Sequence, residues 1–189
     1  MIGKTIGELR AGDVAEVVRR VVPEDVAEFV EAVGDYNPIH SDAEYAATTS
    51  FKEPIAPGVY TAGLISAVIG TQLPGPGAIY LSQSLTFMKP VKLGDTITAC
   101  VTVVEVIRER NRIRLLTVCR NQRGEEVLTG EAWVLPSREA VVYERRACEP
   151  AGVALALQPW AWATRAITLW ATFGLTILGA ATSTSRGRR

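Results

Sequence analysis

Histidine is nearly absent from this chain: its 189 residues include one, His40. A metal site built on several imidazoles is therefore excluded, and chemistry that needs an imidazole has a single place to happen. Cysteine is scarce as well. Cys100, Cys119 and Cys148 are an odd number with no Cys-x-x-Cys pair, which argues against a disulfide framework or a zinc ribbon. Cys100 and Cys119 fall in apolar, strand-like runs and read as small buried hydrophobes in a reducing compartment, so no metal is expected. Net charge is missing too, because 20 basic residues balance 20 acidic ones, and nothing draws the chain to nucleic acid. Met1 to Arg10 lacks the apolar stretch of a secretory signal, which makes the cytoplasm the expected location.

What is present divides at about residue 137. Residues 1–137 carry a net charge of −4 and residues 138–189 one of +4. The first stretch is long enough for one well-buried core. Ala15 to Val22 reads as a valine-rich strand. Pro23-Glu24-Asp25 then opens a helix, since proline suits the first helical position and acids suit the positive end of the dipole. Val26, Phe29, Val30 and Val33 give that helix an apolar face, and Gly34 stops it. Asp35 to His40 is thus a turn hung from a helix end, with Pro38 holding Asn37 extended. Short helical turns are expected around Asp42 to Ala47. Pro54 and Pro57 bracket a tight loop ending at Gly58, and Val59 to Thr71 follows as a helix without a charge. Such a helix is expected to be buried and is too short to span a bilayer. Strands are predicted over Ile79–Met88, Asp95–Ile107, Arg112–Arg120 and Glu126–Leu135, closely connected and therefore antiparallel. One buried helix and one antiparallel sheet make an α+β two-layer domain.

Asp35 and His40 share one proline-stiffened turn. A carboxylate beside an imidazole is a natural acid/base pair, although the same residues also suit plain turn chemistry with Asp35 as a cap and His40 exposed. Asn37 can cap the turn or orient a partner. Gly58 precedes helical amides that have no internal partner, which suits an oxyanion hole for a thioester carbonyl; the alternative is that it eases a tight turn. Ser66, two turns along, can bond back to the Ala62 carbonyl or reach Asp35.

These segments resemble the R-specific enoyl-CoA hydratases, the MaoC-like (hydratase 2) branch of the hotdog fold. The resemblance covers about residues 5–135. It rests on Gly34-Asp-Tyr-Asn-Pro-Ile-His40, Pro54-Ile-Ala-Pro-Gly58, Thr61-Ala-Gly-Leu-Ile-Ser-Ala-Val-Ile-Gly70, Leu73-Pro-Gly-Pro-Gly77 and Phe87-Met-Lys-Pro-Val-Lys-Leu-Gly-Asp95. It implies an antiparallel sheet wrapped around a central helix, and Asp35 and His40 as catalytic pair. It also implies that the Gly58 amide polarises the thioester and that Ser66 supports Asp35. The chain departs from the family in Pro57-Gly58, where members commonly have His-Gly; the Gly58 amide survives this, a second imidazole does not. The activity implied is cofactor-free hydration of trans-2-enoyl-CoA to (R)-3-hydroxyacyl-CoA and its reverse, in fatty-acid or polyhydroxyalkanoate metabolism. A homodimer with joined sheets is implied as well, acting on acyl-CoA or acyl-carrier-protein thioesters. By position, Leu64, Val68 and Ile69 are expected to set acyl-chain length, with a core role as the simpler reading. A hotdog thioesterase and a non-catalytic acyl-thioester-binding subunit are the rival functions.

The resemblance ends at Ser137. Ala166 to Ala181 is uncharged, tryptophans precede it and Arg186-Gly-Arg-Arg189 closes the chain. A short membrane anchor or interfacial helix competes here with a disordered appendage.

Overall fold

Prolines and glycines punctuate the elements. The computed structural model describes residues 1–144. After a short strand β1 (Ile2–Gly3), β2 (Val14–Arg20) leads into helix α1 (Pro23–Val33), which has proline in its first turn and ends on Gly34 at φ 72°. A left-handed cap of this kind reverses the chain at little cost only for glycine. One 3₁₀ turn, Pro38–His40, and helix α2 (Ala43–Thr48), capped by the Asp42 carboxylate, follow before the long helix α3 (Gly58–Thr71). Then come β3 (Ile79–Phe87), β4 (Thr96–Ile107), β5 (Arg112–Arg120), β6 (Glu126–Leu135) and β7 (Val141–Val142).

Five strands form one antiparallel sheet in the order β2-β4-β5-β6-β3, and α3 packs across its inner face. This is the α+β hotdog arrangement expected from the sequence. Strict alternation makes it work: Ile97, Ala99, Val101 and Val103 of β4 are all fully buried while their neighbours face outward. The core joins them to Ile113 and Leu115 of β5, Val134 of β6 and Ile65, Val68 and Ile69 of α3. Alternation in β3 breaks at Leu81, where a bulge against β6 between Tyr80 and Ser82 adds a residue and puts Tyr80 opposite Val134.

Two features differ from the sequence reading. Helix α3 buries one face only: Thr61, Ile65, Val68 and Ile69 are covered, while Val59 is 62% exposed and Gly63, Ser66 and Gly70 are also open. An all-round apolar sequence gives no facing signal, and within one chain the sheet supplies a single covering layer. Backbone pairing also continues past residue 137, because β7 pairs with β1 and the Met1 ammonium donates to the Tyr143 carbonyl at 2.9 Å. The uncharged run from Ala166 to Ala181 and its expected anchor or appendage role lie outside the described residues. Among the described ones, no helix is long and apolar enough to cross a membrane and no cluster of metal-ligating side chains occurs.

Candidate active site

The site begins where α1 stops. The Gly34 and Asp35 amides both donate to the Val30 carbonyl, at 2.8 and 3.2 Å, which turns the chain off the helix. Asn37 then caps the 3₁₀ turn, its Oδ1 accepting from the Ile39 amide at 3.3 Å. Asn37 is thus a scaffold residue, the first of the two roles open to it from sequence. Helix α1 is itself fastened to α3: the Phe29 and Tyr60 rings meet edge to face at 5.8 Å, and the Tyr60 hydroxyl donates to Asp25 at 3.4 Å.

His40 is held from the far side by Ile55. The Ile55 amide donates to the Ile39 carbonyl at 3.2 Å, and His40 Nδ1 lies 2.7 Å from the Ile55 carbonyl. A carbonyl oxygen can only accept, so Nδ1 carries a proton, and the neutral tautomer this selects has its lone pair at Nε2. Nε2 faces Asp35 Oδ2 at 3.6 Å, with the histidine side chain 10% exposed and the aspartate 44%. That separation is too long for a direct hydrogen bond. The arrangement is two acceptors side by side, and a water placed between them can donate one O–H to each while keeping a lone pair free.

The same segment leads to Gly58. Ala56 donates to the Val91 carbonyl at 2.8 Å and Ile55 bridges Lys92, so Ile55 to Gly58 is clamped between the His40 turn and the loop after β3. Gly58 starts α3, and no side chain caps that end, which leaves its first amides available. Glycine is needed for space: a Cβ there would fall 2.7 Å from Phe87 Cε1. Gly58 lines a groove of about 410 Å³ whose walls include Phe51, Val59, Phe87, Met88 and Val91. His40 lines a separate pocket of about 320 Å³ against Val26, Val30, Tyr36 and Leu93.

Not every expected residue joins the site. Ser66 lies on the open face of α3, and among the described residues its hydroxyl bonds to neither Asp35 nor the Ala62 carbonyl. Val68 and Ile69 are buried in the core, at 0% and 2% exposure, and Leu64 packs against it; none lines the groove or the pocket beside His40. The groove walls Phe51 and Met88 and the pocket residue Tyr36 were not expected as site residues. Phe87 and Met88 open one of the family-like segments, which was the available signal.

The chain matches the model of the "MaoC like domain" over residues 8–121. The chain belongs to the MaoC-like family. Among MaoC-like relatives it is 48% identical over 133 residues to a 3-hydroxybutyryl-CoA dehydratase of Methylorubrum extorquens, covering 70% of this chain and 84% of that one. It is 44% identical over 132 residues to an (R)-specific enoyl-CoA hydratase of Rhodospirillum rubrum, covering 69% and 91%. The unliganded R-hydratase PhaJ1 of Pseudomonas aeruginosa superposes with a TM-score of 0.75 at 42% identity, covering 80% of this chain and 97% of that one. The Aeromonas caviae (R)-hydratase involved in polyhydroxyalkanoate biosynthesis, also 42% identical, superposes with a TM-score of 0.66 and covers 67% and 96%.

Proposed function

We propose that this protein is a hydro-lyase that adds water to trans-2-enoyl-CoA to give (R)-3-hydroxyacyl-CoA, and catalyses the reverse dehydration. The observation that carries the reading is the acceptor pair Asp35 Oδ2 and His40 Nε2, 3.6 Å apart, with the histidine tautomer set by the Ile55 carbonyl. The names of the relatives support the thioester and its stereochemistry.

In this mechanism the pair holds one water by both hydrogens. Its oxygen bonds to C3 of the enoyl group as the C2–C3 π electrons move toward the thioester carbonyl. Charge builds on that carbonyl oxygen, where the Gly58 amide at the positive end of α3 donates to it. The proton that leaves the water rests on the Asp35–His40 pair and is returned to C2, so one water is added and the pair is restored.

A homodimer completes the reading. β3 is a sheet edge with Ile79, Leu81 and Phe87 exposed, at 57%, 40% and 52%, beside the open face of α3. An unprotected edge of this kind pairs readily with another strand. A second copy joined there would continue the sheet, cover the open helix face and give the Ser66 hydroxyl a partner. The free Cys100 and Cys119 support a reducing compartment, and the cytoplasm is the location proposed.

The test is loss of absorbance on adding crotonyl-CoA, with chiral analysis of the product. Asp35→Asn and His40→Gln should each lower kcat by about 10²–10⁴-fold while the protein stays folded. Near-full activity in either variant would sink the assignment, and free-thiol release in place of hydration would make the protein a thioesterase.

A further inference from the structure

We propose that the outer face of the sheet carries a second ligand site, a pocket beside the β3 bulge that takes a short-chain carboxylate on Arg110 and Arg112.

The pocket has a volume of about 260 Å³ and is lined by Leu81, Ser82, Ile107, Arg110, Arg112 and Trp133. It shares no residue with the groove at Gly58 or the pocket at His40. Its placement follows from strand register. Ile113 of β5 and Val134 of β6 face each other and are fully buried, so their neighbours Arg112 and Trp133 point away from α3. Ser82 of β3 lies opposite Trp133, and the extra residue of the bulge, Leu81, is 40% exposed. The turn between β4 and β5 supplies Arg110. Asn111 in that turn donates to the Pro136 carbonyl at 2.9 Å, which ties the turn to the end of β6. The frame of the pocket is therefore fixed before a ligand arrives.

The chemistry of the lining is one-sided. Guanidinium groups and an indole N–H only donate hydrogen bonds, and no carboxylate lines the pocket. The acids nearby are committed elsewhere: Glu105 and Glu131 both bond to Arg114, at 3.0 and 2.8 Å. Glu109 is exposed on the turn and lies outside the lining. Arg108, the third arginine of the turn, is occupied, since it donates to the Ile6 carbonyl at 2.9 Å. Arg110, Arg112 and the Trp133 indole have no acceptor among the described residues. Two guanidinium forks suit an anion with paired oxygens. Leu81, Ile107 and the Trp133 ring suit an apolar body attached to it, which inorganic phosphate lacks. Size decides among the organic anions. The volume equals roughly eight or nine waters at about 30 Å³ each, which admits a carboxylate of about six carbons and excludes a nucleotide.

The experiment titrates the nitrogen-15-labelled full chain with sodium hexanoate and follows the indole N–H resonance of Trp133, identified by its loss in Trp133→Phe. The resonance should move and saturate with a Kd on the order of 1 mM, as befits so small a ligand. Arg110→Gln/Arg112→Gln should weaken binding on the order of tenfold, and the fold is kept because both side chains are exposed. Arg120→Gln, at another exposed arginine, should leave binding unaltered. Hexanol has the same body without the charge and hexylamine has the opposite charge, so neither should move the resonance. Inorganic phosphate should bind on the order of tenfold more weakly than hexanoate. An unmoved resonance, an equal response to hexanol, an unweakened double variant, or phosphate binding as tightly as hexanoate would each overturn the proposal. β3 is also the edge given above to a second copy, which makes a partner protomer the rival occupant. A Trp133 resonance that shifts with protein concentration and ignores hexanoate would show that occupant and refute the ligand site. The readout needs no turnover, so its outcome does not depend on the hydratase reading.

Discussion

Replacing Gly58 by alanine probes the groove with one methyl group. The new Cβ would lie 2.7 Å from Phe87 Cε1 and 3.0 Å from Cδ1 and Cζ, so the ring must move. Gly58 is not among the left-handed glycines, and alanine is compatible with its backbone. Overpacking typically costs about 1–3 kcal/mol, and the low end applies because Phe87 is 52% exposed and can swing outward. Alanine in place of glycine at a helical position recovers up to about 1 kcal/mol. The net change is then about 1 kcal/mol or less, a Tm shift of about 2–4 °C at this chain length. Catalysis should suffer far more. The displaced ring is a groove wall beside the amide proposed to receive the thioester, and a misplacement of about 1 Å can cost about 10²-fold. Calorimetry would show a nearly unmoved Tm, while the crotonyl-CoA assay shows kcat/KM reduced by about 10–10²-fold. Adding Phe87→Leu makes room for the methyl and should restore much of the loss. A Gly58→Ala enzyme with unaltered kcat/KM would refute the idea that substrate passes between Gly58 and Phe87.

Three further outcomes are expected. Hydrogen bonds from Asn121, then Lys89 and Arg123, lower the Glu125 carboxyl from 4.5 to about 2. A group depressed on folding stabilises above its unfolded pKa and loses that effect as pH falls through the folded value; Tm of the wild type should therefore drop more steeply than that of Glu125→Gln between pH 4.5 and 2. Burial pushes the Cys119 thiol up to about 12, leaving a thiolate fraction on the order of 10⁻⁴ at pH 8, so native-state alkylation followed by peptide mass mapping should find Cys119 unmodified. Leu81→Lys puts a charge on the open edge of β3 and should give a monomer of lowered activity by sedimentation; an unaltered dimer would show that the copies meet elsewhere.

Where local chemistry decides structure, the sequence was readable. Pro23 and Gly34 bounded α1 to the residue, and β5 and β6 occupy the residues predicted for them. The turn carrying Asp35 and His40 was legible for the same reason, as a short segment hung between a helix stop and a proline. Its second support was not, because the Ile55 carbonyl lies 15 residues away and no side-chain pattern announces a main-chain acceptor. Ser66, Val68 and Ile69 show the other limit. On a helix apolar all round, periodicity could not tell the face that packs on the sheet from the face left open. The groove depends on Phe51, Val59 and Phe87 meeting across three separate segments, and local windows do not contain that information.

The contact between His40 and Ile55 has a bearing on motif transplantation. Because the acceptor is a peptide oxygen, no side-chain replacement at position 55 removes it; Ile55 can drift to other residues while the imidazole stays oriented. The hexapeptide Asp35 to His40 is, conversely, not portable by itself. Grafted onto another scaffold without the strand-like segment that carries Ile55, it would bring both side chains but lose the contact that sets the proton on His40 Nδ1.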